Sequence, residues 1–249
     1  GGFDTHGCSK MIRSYVEDYS QGTLNPRPDR GVVGETPSAA NIAADNGLAV
    51  ILGPQAMQMA IDKARNVGVG VVTMSNAGHS GAIGHHAMLA AKQDMVGMTA
   101  TSGGLLVVPT YGAEPRLGTN PIAIAAPAKS EPALLFDAAT SAVAGNKLRL
   151  AERVGADMLP GWIAGLDGDP VMDEVKLPDR GQYFQLPLGG TRDQGSHKGY
   201  GLDRKSIVEG KSVDLGGRRI IKKKNKKIHK NTLKNTERTD TAYPQAKRT

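Results

Sequence analysis

Two histidines in glycine-containing turns are the side chains of this sequence best suited to proton transfer. His6 precedes Gly7 and His79 follows Gly78, each in a predicted loop. An imidazole with a pKa of about 6.5 can take up and release a proton near neutral pH, as exchange with a substrate oxygen requires. Taken alone, each could also be an ordinary surface or hydrogen-bonded histidine.

Other nucleophilic and metal-binding combinations have weaker patterns. His85 and His86 are adjacent on a predicted helix and cannot share a face, so we expect one half-buried and one solvated. These two histidines could form a metal site with His79 and a carboxylate, but the four ligands have no recognised spacing. No metal site is therefore predicted. Cys8 is the single cysteine, and a cysteine hydrolase using it is a third hypothesis, although no oxyanion loop is marked near it.

Nucleotide-binding fingerprints are missing from the sequence. No G-x-G-x-x-G follows a predicted strand, because Gly68-Val69-Gly70 precedes its strand and Gly78 to Gly84 has the wrong spacing. The phosphate-loop pattern is absent as well. A Rossmann domain is therefore not expected.

The segment Leu117 to Pro127 joins a polar turn to a buried strand. Gly-Thr-Asn-Pro reads as the turn, and Ile-Ala-Ile-Ala-Ala as a short apolar strand that Pro127 ends. Such a turn can present backbone N–H groups and an amide to a ligand.

The spacing of apolar residues predicts alternating helices and strands on either side of these turns. This alternation is typical of an α/β layer. Helices are predicted over 9–19, from Pro54 in the first turn to Gly68, over 83–93 and over 141–154. Strands are predicted at 32–33 and over 69–74, 96–101, 122–126 and 134–137. Residues 195–202 read as a glycine-rich loop.

Basic charge is concentrated in the C-terminal segment. Residues 203–249 hold 15 Lys and Arg against 5 Asp and Glu, whereas residues 1–202 hold 16 against 19. The segment lacks an apolar period and is predicted to be disordered. It resembles the conceptual translation of a sequencing-library adapter, so a read-through artefact is the preferred interpretation. A nucleic-acid-binding protein acting through this tail is the alternative, without interleaved aromatic residues or a reader fold.

Length and composition limit the class of protein. The 249 residues can bury a substantial core. The sequence shows neither an apolar stretch of membrane-spanning length nor a secretory leader, and one cysteine allows no intrachain disulfide. We expect a cytoplasmic protein without membrane partners, truncated before Gly1.

Five segments, in order, resemble the malate/L-lactate/ureidoglycolate dehydrogenase family. They are Gly2-Phe3-Asp4-Thr5-His6-Gly7, Gly78-His79-Ser80-Gly81-Ala82, Leu117 to Pro127, Asp137 to Ala144, and Leu186 to Gly190 with His197 to Leu202. The resemblance covers about residues 1–202. It implies an NAD- or NADP-dependent oxidoreductase that transfers a hydride between the cofactor and C2 of a small 2-hydroxy or 2-oxo acid.

The resemblance also implies which residues act on the substrate. His6 would be the acid/base for the C2 oxygen, and His79 corresponds to a second active-site histidine that carries the proton in some members. The family usually has arginine four residues after the first histidine, where this chain has Lys10. Lysine keeps the charge but loses the bidentate fork for a carboxylate, so Lys10 or Arg13 would bind the substrate.

Cofactor-contacting stretches of the family match eight residues here: Thr101, Ser102, Thr119, Asn120, Asp137, Thr140, Ser141 and Lys198. The implied fold is α/β, a mixed and largely antiparallel sheet with flanking helices that binds NAD(P) without a Rossmann domain, here incomplete. Residues 1–52 would belong to a helical substrate-side domain, 53–202 to the NAD(P)-binding domain and 203–249 to the tail. The family forms homodimers, and this chain, which the resemblance implies is truncated at both its N- and C-terminal ends, is expected to be a poor catalyst.

Overall fold

A computed structural model describes the backbone of residues 8–206 and the side chains of residues 11–202. The helices are α1 (Cys8–Ser20), α2 (Ala49–Val67), α3 (Gly84–Ala91), α4 (Gly145–Val154) and α5 (Ser196–Ser206). The strands are β1 (Gly31–Glu35), β2 (Ala39–Ala43), β3 (Val71–Ser75), β4 (Gly97–Ala100), β5 (Ile122–Ala126), β6 (Leu134–Ala138), β7 (Ile163–Ala164) and β8 (Phe184–Gln185). His6 and residues 207–249, including the predicted tail beyond Ser206, lie outside this range.

Helix α2 packs beside the first sheet, in which β1 and β2 are antiparallel and β2 and β3 are parallel. Its buried positions, such as Leu52, Ala56 and Ala60, recur at the helical period. Gly68 ends the helix with φ +86°, and its N–H bonds the Ala64 carbonyl. A Cβ at Gly70 would lie 1.8 Å from the Ala60 oxygen, so only glycine permits this approach of the chain to α2.

The second sheet has the order β4-β5-β6 and is antiparallel throughout. Helix α3 covers one of its faces, where Ala87 and Ala91 pack in one cluster with Ala123 and Ala125. Small side chains allow the helix to lie close to the strands. On the opposite face Met98, Ile124 and Phe136 stand in one cross-strand row and are all exposed.

The third sheet is the short antiparallel pair β7-β8, and α4 packs in the same region. Val143, Leu148, Met158 and Ile163 form its buried cluster. An antiparallel bridge between Ser141 and Pro187 ties this region to the end of β6.

Several sequence-based boundaries were wrong for physical reasons that the structure identifies. Pro54 lies inside α2 and not in its first turn, because the helix begins at Ala49. Helix α4 begins only at Gly145, since Ser141 is held in the extended bridge and the Ala142 N–H bonds the Leu186 carbonyl. Strand β2 was not predicted at all.

The predicted loop over 195–202 is also largely helix. Helix α5 begins at Ser196, whose hydroxyl lies 3.0 Å from the Thr110 hydroxyl. A Cβ at Gly199 would lie 2.3 Å from the Leu188 carbonyl oxygen, so the glycine lets the helix pack directly on backbone. Tertiary contact here overrides a low helix propensity.

The fold class follows the prediction: α/β, with four antiparallel strand pairings and one parallel pairing within residues 8–206. The boundary predicted between residues 52 and 53 falls inside α2, and the division into two domains stays a prediction. Among the described residues, no helix combines the length and apolarity needed to cross a membrane.

Candidate active site

His79 lies in the loop between β3 and α3, and backbone hydrogen bonds hold this loop against the segment that leads into α2. The Val50 N–H donates to the His79 carbonyl over 3.0 Å, and the Gly78 N–H donates to the Gly47 carbonyl over 2.9 Å. Gly81 adopts φ +68°, which turns the chain back toward α3. The sequence placed His79 in a glycine-containing loop, and the structure confirms that placement.

The His79 ring is held by a residue that sequence analysis missed. The Tyr15 hydroxyl lies 2.6 Å from Nδ1 of His79, and the Gly81 N–H donates to the same nitrogen over 3.3 Å. The residue remains exposed at the surface, yet neighbouring protein removes enough water to lower the pKa of His79, because burial disfavours the charged imidazolium. His79 is therefore mainly neutral at pH 7.

Helix α1 carries Tyr15 to the histidine and also reaches α4. Met11 lies one helical turn before Tyr15, and its sulfur is 3.9 Å from the Asn146 side-chain nitrogen. Arg13 is exposed and lies two residues from Met11 and two from Tyr15. This spacing places it about 200° around the helix from each of them. Lys10 belongs to the same helix, but its side chain is outside the described set. The structure therefore does not bring Arg13 to the face that meets His79.

Most of the predicted cofactor stretches converge on one edge of the second sheet. The pairing of Ala100 with Ile122, and of Ile122 with Ala138, aligns the end of β4, the start of β5 and the end of β6. Thr101 and Ser102 follow the first of these strands, Thr119 and Asn120 precede the second, and Asp137, Thr140 and Ser141 end or follow the third. Sequence analysis predicted the residues but not their common edge.

The histidine loop is connected to this edge through hydroxyl groups. Ser80, the neighbour of His79, donates from Oγ to Thr101 Oγ1 over 3.4 Å. The Thr101 N–H in turn bonds the Pro121 carbonyl over 3.2 Å. The structure thus brings His79 and the predicted cofactor residue Thr101 into one connected site.

Asn120 organises the glycine loop of the same edge. It is fully buried at φ +26°, and its side-chain oxygen accepts a hydrogen bond of 2.7 Å from the Gly103 N–H. A Cβ at Gly118 would lie 2.5 Å from that oxygen and 2.9 Å from the Gly104 carbonyl. The amide oxygen therefore shapes the loop.

Asp137 has a partner within the protein. Its Oδ2 accepts a hydrogen bond of 2.8 Å from the Gly84 N–H at the start of α3, where the helix dipole favours negative charge. Two residues along the helix, the buried His86 donates from Nε2–H to the Ser80 carbonyl over 3.1 Å. Burial lowers the pKa of His86, and the Ser80 carbonyl and Asp137 partly oppose that shift. Asp137 and His86 together position α3 and the histidine loop.

Thr140 and Ser141 are buried, and each uses its hydroxyl on a nearby carbonyl. Thr140 donates to Thr119 over 3.2 Å, and Ser141 donates to Val143 over 2.9 Å. Their hydroxyls stabilise the turn after β6, so contacts to a ligand would come mainly from the backbone here.

Lys198 is exposed on α5, near the segment that connects to this edge. The Leu188 N–H bonds the Thr140 carbonyl over 2.7 Å, and α5 packs on Leu188 through Gly199. The same turn thereby supports both the helix that carries Lys198 and the strand end that carries Thr140.

The edge fits the polar groups of a nicotinamide dinucleotide. A Cβ at Gly104 would meet no atom within 4 Å, and one at Gly103 would approach only Asn120 and Thr119, each at 4.0 Å. Exposed glycine backbone lets a phosphate or carboxamide approach the chain closely, as such cofactors require. Ser102 is exposed beside these glycines and adds a hydroxyl.

A cavity of about 750 Å³ lies elsewhere, between β1 and α2. Lys63 is largely buried there and bonds Glu35 over 2.7 Å and the Thr36 carbonyl over 2.8 Å. None of the predicted site residues lines it. Among the described residues, no group of three His, Cys, Asp or Glu side chains could hold a metal ion.

Comparison with known proteins identifies the family. A model of the malate/L-lactate dehydrogenase family matches residues 1–237. The malate dehydrogenase of Pyrococcus abyssi is 40% identical over 202 residues, which are 81% of this chain and 55% of that protein. The L-sulfolactate dehydrogenase of Methanocaldococcus jannaschii is 40% identical over 201 residues, again 81% of this chain and 55% of the relative.

Solved structures give the same answer. The malate dehydrogenase of Entamoeba histolytica superposes with a TM-score of 0.76 at 33% identity, over 82% of this chain and 58% of that one. The chain spans little more than half the length of these relatives. With the sequence and structural matches in agreement, the chain belongs to the malate/L-lactate dehydrogenase family.

Proposed function

We propose that this chain transfers a hydride between NAD or NADP and C2 of a small 2-hydroxy or 2-oxo acid. The hydrogen bond between Ser80 and Thr101 carries the proposal, because it joins the loop of a proton-transferring histidine to the sheet edge that fits the cofactor. The relatives named as malate and L-sulfolactate dehydrogenases support this class of substrate.

His79 is the proton carrier within the described residues. When bound, the nicotinamide ring supplies or accepts the hydride at C2. In the direction of reduction, the imidazolium of His79 donates its proton to the oxygen that becomes the hydroxyl, and neutral imidazole remains. In the direction of oxidation, neutral imidazole takes the hydroxyl proton. The lowered pKa of His79 favours the neutral form and hence oxidation near pH 7.

Three further side chains complete the proposed substrate site. His6 is the alternative acid/base, and a comparison of His6→Ala with His79→Ala assigns the proton. Lys10 or Arg13 binds the substrate carboxylate as a cation. A charge without a bidentate fork binds carboxylate with less geometric selectivity.

The cofactor site comprises Thr101, Ser102, Thr119, Asn120, Asp137, Thr140, Ser141 and Lys198. Gly103 and Gly104 keep the edge open, and Lys198 supplies a positive charge for phosphate. NAD and NADP are both candidates. Titration of the chain with NADH and then NADPH by calorimetry distinguishes them.

The proposed cellular setting is that of a cytoplasmic homodimer whose partners are small molecules and not nucleic acid or membrane. A single cysteine suits a reducing compartment. The exposed apolar row on the second sheet is compatible with further covering protein.

The test is turnover of 2-hydroxy acids, malate and lactate among them, with NAD and NADP, followed by NAD(P)H absorbance. Growth of absorbance with at least one acid supports the proposal. Calorimetry with NADH measures cofactor binding at the proposed sheet edge, and this measurement does not depend on turnover. Absence of both turnover and cofactor binding would reject the proposal.

A further inference from the structure

We infer that Tyr15 is a positioning residue that orients His79 so that its Nε2 exchanges the substrate proton. This inference rests on the proposed function for its catalytic meaning. The geometry that carries it is the pair of donors that meet at Nδ1: the Tyr15 hydroxyl at 2.6 Å and the Gly81 N–H at 3.3 Å.

The two donors differ in what they can do. The Gly81 N–H can only donate, so in neutral His79 Nδ1 is the acceptor and the proton is on Nε2. A tyrosine hydroxyl both donates and accepts. When His79 becomes imidazolium, Tyr15 can rotate its proton away and accept from Nδ1–H. The contact at 2.6 Å therefore persists in both protonation states, and the ring stays in place.

Nε2 is left as the nitrogen for the substrate. In the described residues, no contact to Nε2 of His79 accompanies those at Nδ1. In reduction the Nε2–H bond breaks, an O–H bond forms, and the electron pair of the broken bond stays on the imidazole ring. In oxidation the same bonds exchange in reverse.

Tyr15 is also the titratable side chain from α1 that contacts the ring. Its ring centroid lies 6.0 Å from that of His79 at an angle of 40°. The contacts from the other elements are backbone groups: the Gly81 N–H from the loop itself, and the Val50 N–H of α2 on the His79 carbonyl. Burial accounts for the lowered pKa of His79, and no charged group among the described side chains adds to it.

The variant Tyr15→Phe separates two effects of Tyr15 on His79: the hydrogen bond to Nδ1 and the exclusion of water by the aromatic ring. Phenylalanine keeps the ring that excludes water but removes the acceptor for Nδ1–H. Hydrogen bonds to a charged group are stronger than neutral ones, so loss of the acceptor destabilises imidazolium more than imidazole. The pKa of His79 should fall further, and turnover should fall about tenfold, equal to about 1.4 kcal/mol of barrier.

The experiment follows the histidine rings of the full chain by two-bond ¹H–¹⁵N correlation NMR over a pH series. A His79→Gln variant assigns the His79 signals, and Tyr19→Phe on the same helix is the matched control. We expect neutral His79 to be protonated on Nε2, and its pKa to fall in Tyr15→Phe but not in Tyr19→Phe. Protonation on Nδ1, or an unchanged pKa in Tyr15→Phe, would overturn the inference.

Kinetics then distinguish this inference from the proposed function. If the chain turns over, Tyr15→Phe should lower kcat and move the pH profile, whereas Tyr19→Phe should do neither. If the NMR result holds but the chain neither turns over an acid nor binds NADH, the positioning contact stands while the dehydrogenase proposal fails. Turnover with an unshifted pH profile in Tyr15→Phe rejects the positioning role alone.

Discussion

Ser80 and Thr101 meet through their hydroxyls at 3.4 Å, although they are 21 residues apart in the chain. Ser80 follows His79 directly, and Thr101 begins the segment after β4. The contact therefore joins the loop of the proposed proton carrier to the sheet edge proposed for the cofactor. Under the proposed function, this connection places the substrate and the cofactor relative to each other.

A double-mutant cycle on this pair measures the connection. Ser80→Ala and Thr101→Val each remove one hydroxyl, and their effects on the free energy of unfolding should be non-additive by about 0.5–1 kcal/mol, as for a neutral hydrogen bond. Urea unfolding of the four proteins provides the measurement. Strict additivity would show that the two hydroxyls are not coupled.

Substitution by alanine should have different effects on stability at two glycines of the proposed cofactor edge. In Gly118→Ala the new Cβ would lie 2.5 Å from the Asn120 oxygen and 2.9 Å from backbone at Gly104, so unfolding free energy should drop by about 1–3 kcal/mol. In Gly104→Ala the Cβ enters open space, and stability should change by less than about 0.5 kcal/mol. Equal losses in both variants would contradict the described loop.

Local features of the sequence predicted much of this fold. Periodicity located α1 and α3, and a short apolar run that Pro127 ends located β5. Ala123 and Ala125 are buried while Ile124 is exposed, so even a short apolar run follows the strand period.

Long-range contacts were beyond such patterns. Tyr15 and His79 are 64 residues apart, and no periodicity indicates that their side chains meet. Asp137 matched a cofactor stretch, yet its carboxylate accepts the N–H of Gly84, 53 residues away. A residue type can predict chemistry, whereas its partner depends on packing of distant elements.

Stability should decrease as the pH falls below about 6.5, the pKa of an unfolded histidine. Burial lowers the pKa of His86, so the folded chain binds fewer protons than the unfolded chain in that range. The loss begins near the unfolded pKa and levels off below the folded one. His79 contributes in the same direction.

The variant His86→Gln should weaken that dependence more than His85→Gln does, because the latter removes only the repulsion that His85 adds to the lowered pKa of His86. Glutamine can donate to the Ser80 carbonyl without titrating, and His85 is exposed beside it. Urea unfolding on either side of pH 6.5 compares the slopes. An unchanged slope in His86→Gln would show that this histidine does not control the acid sensitivity.

The two reaction directions should show opposite pH profiles. Reduction needs imidazolium at His79, so its kcat/KM should fall as pH rises through the lowered pKa, whereas kcat/KM for oxidation should rise with its inflection below pH of about 6.5. Initial rates with a 2-oxo acid and the matching 2-hydroxy acid give both curves. An oxidation profile with its inflection well above that pH would assign the proton to another group.

The role of His79 in proton transfer is tested most directly by comparing His79→Ala with His85→Ala. His85 is an exposed histidine on the adjacent helix. Turnover of a 2-hydroxy acid and calorimetric binding of NADH are measured together on both variants and the unchanged chain. We expect kcat to fall about 10²–10⁴-fold in His79→Ala while NADH binding stays normal, and His85→Ala to retain both properties. Full turnover in His79→Ala would show that this histidine does not move the substrate proton.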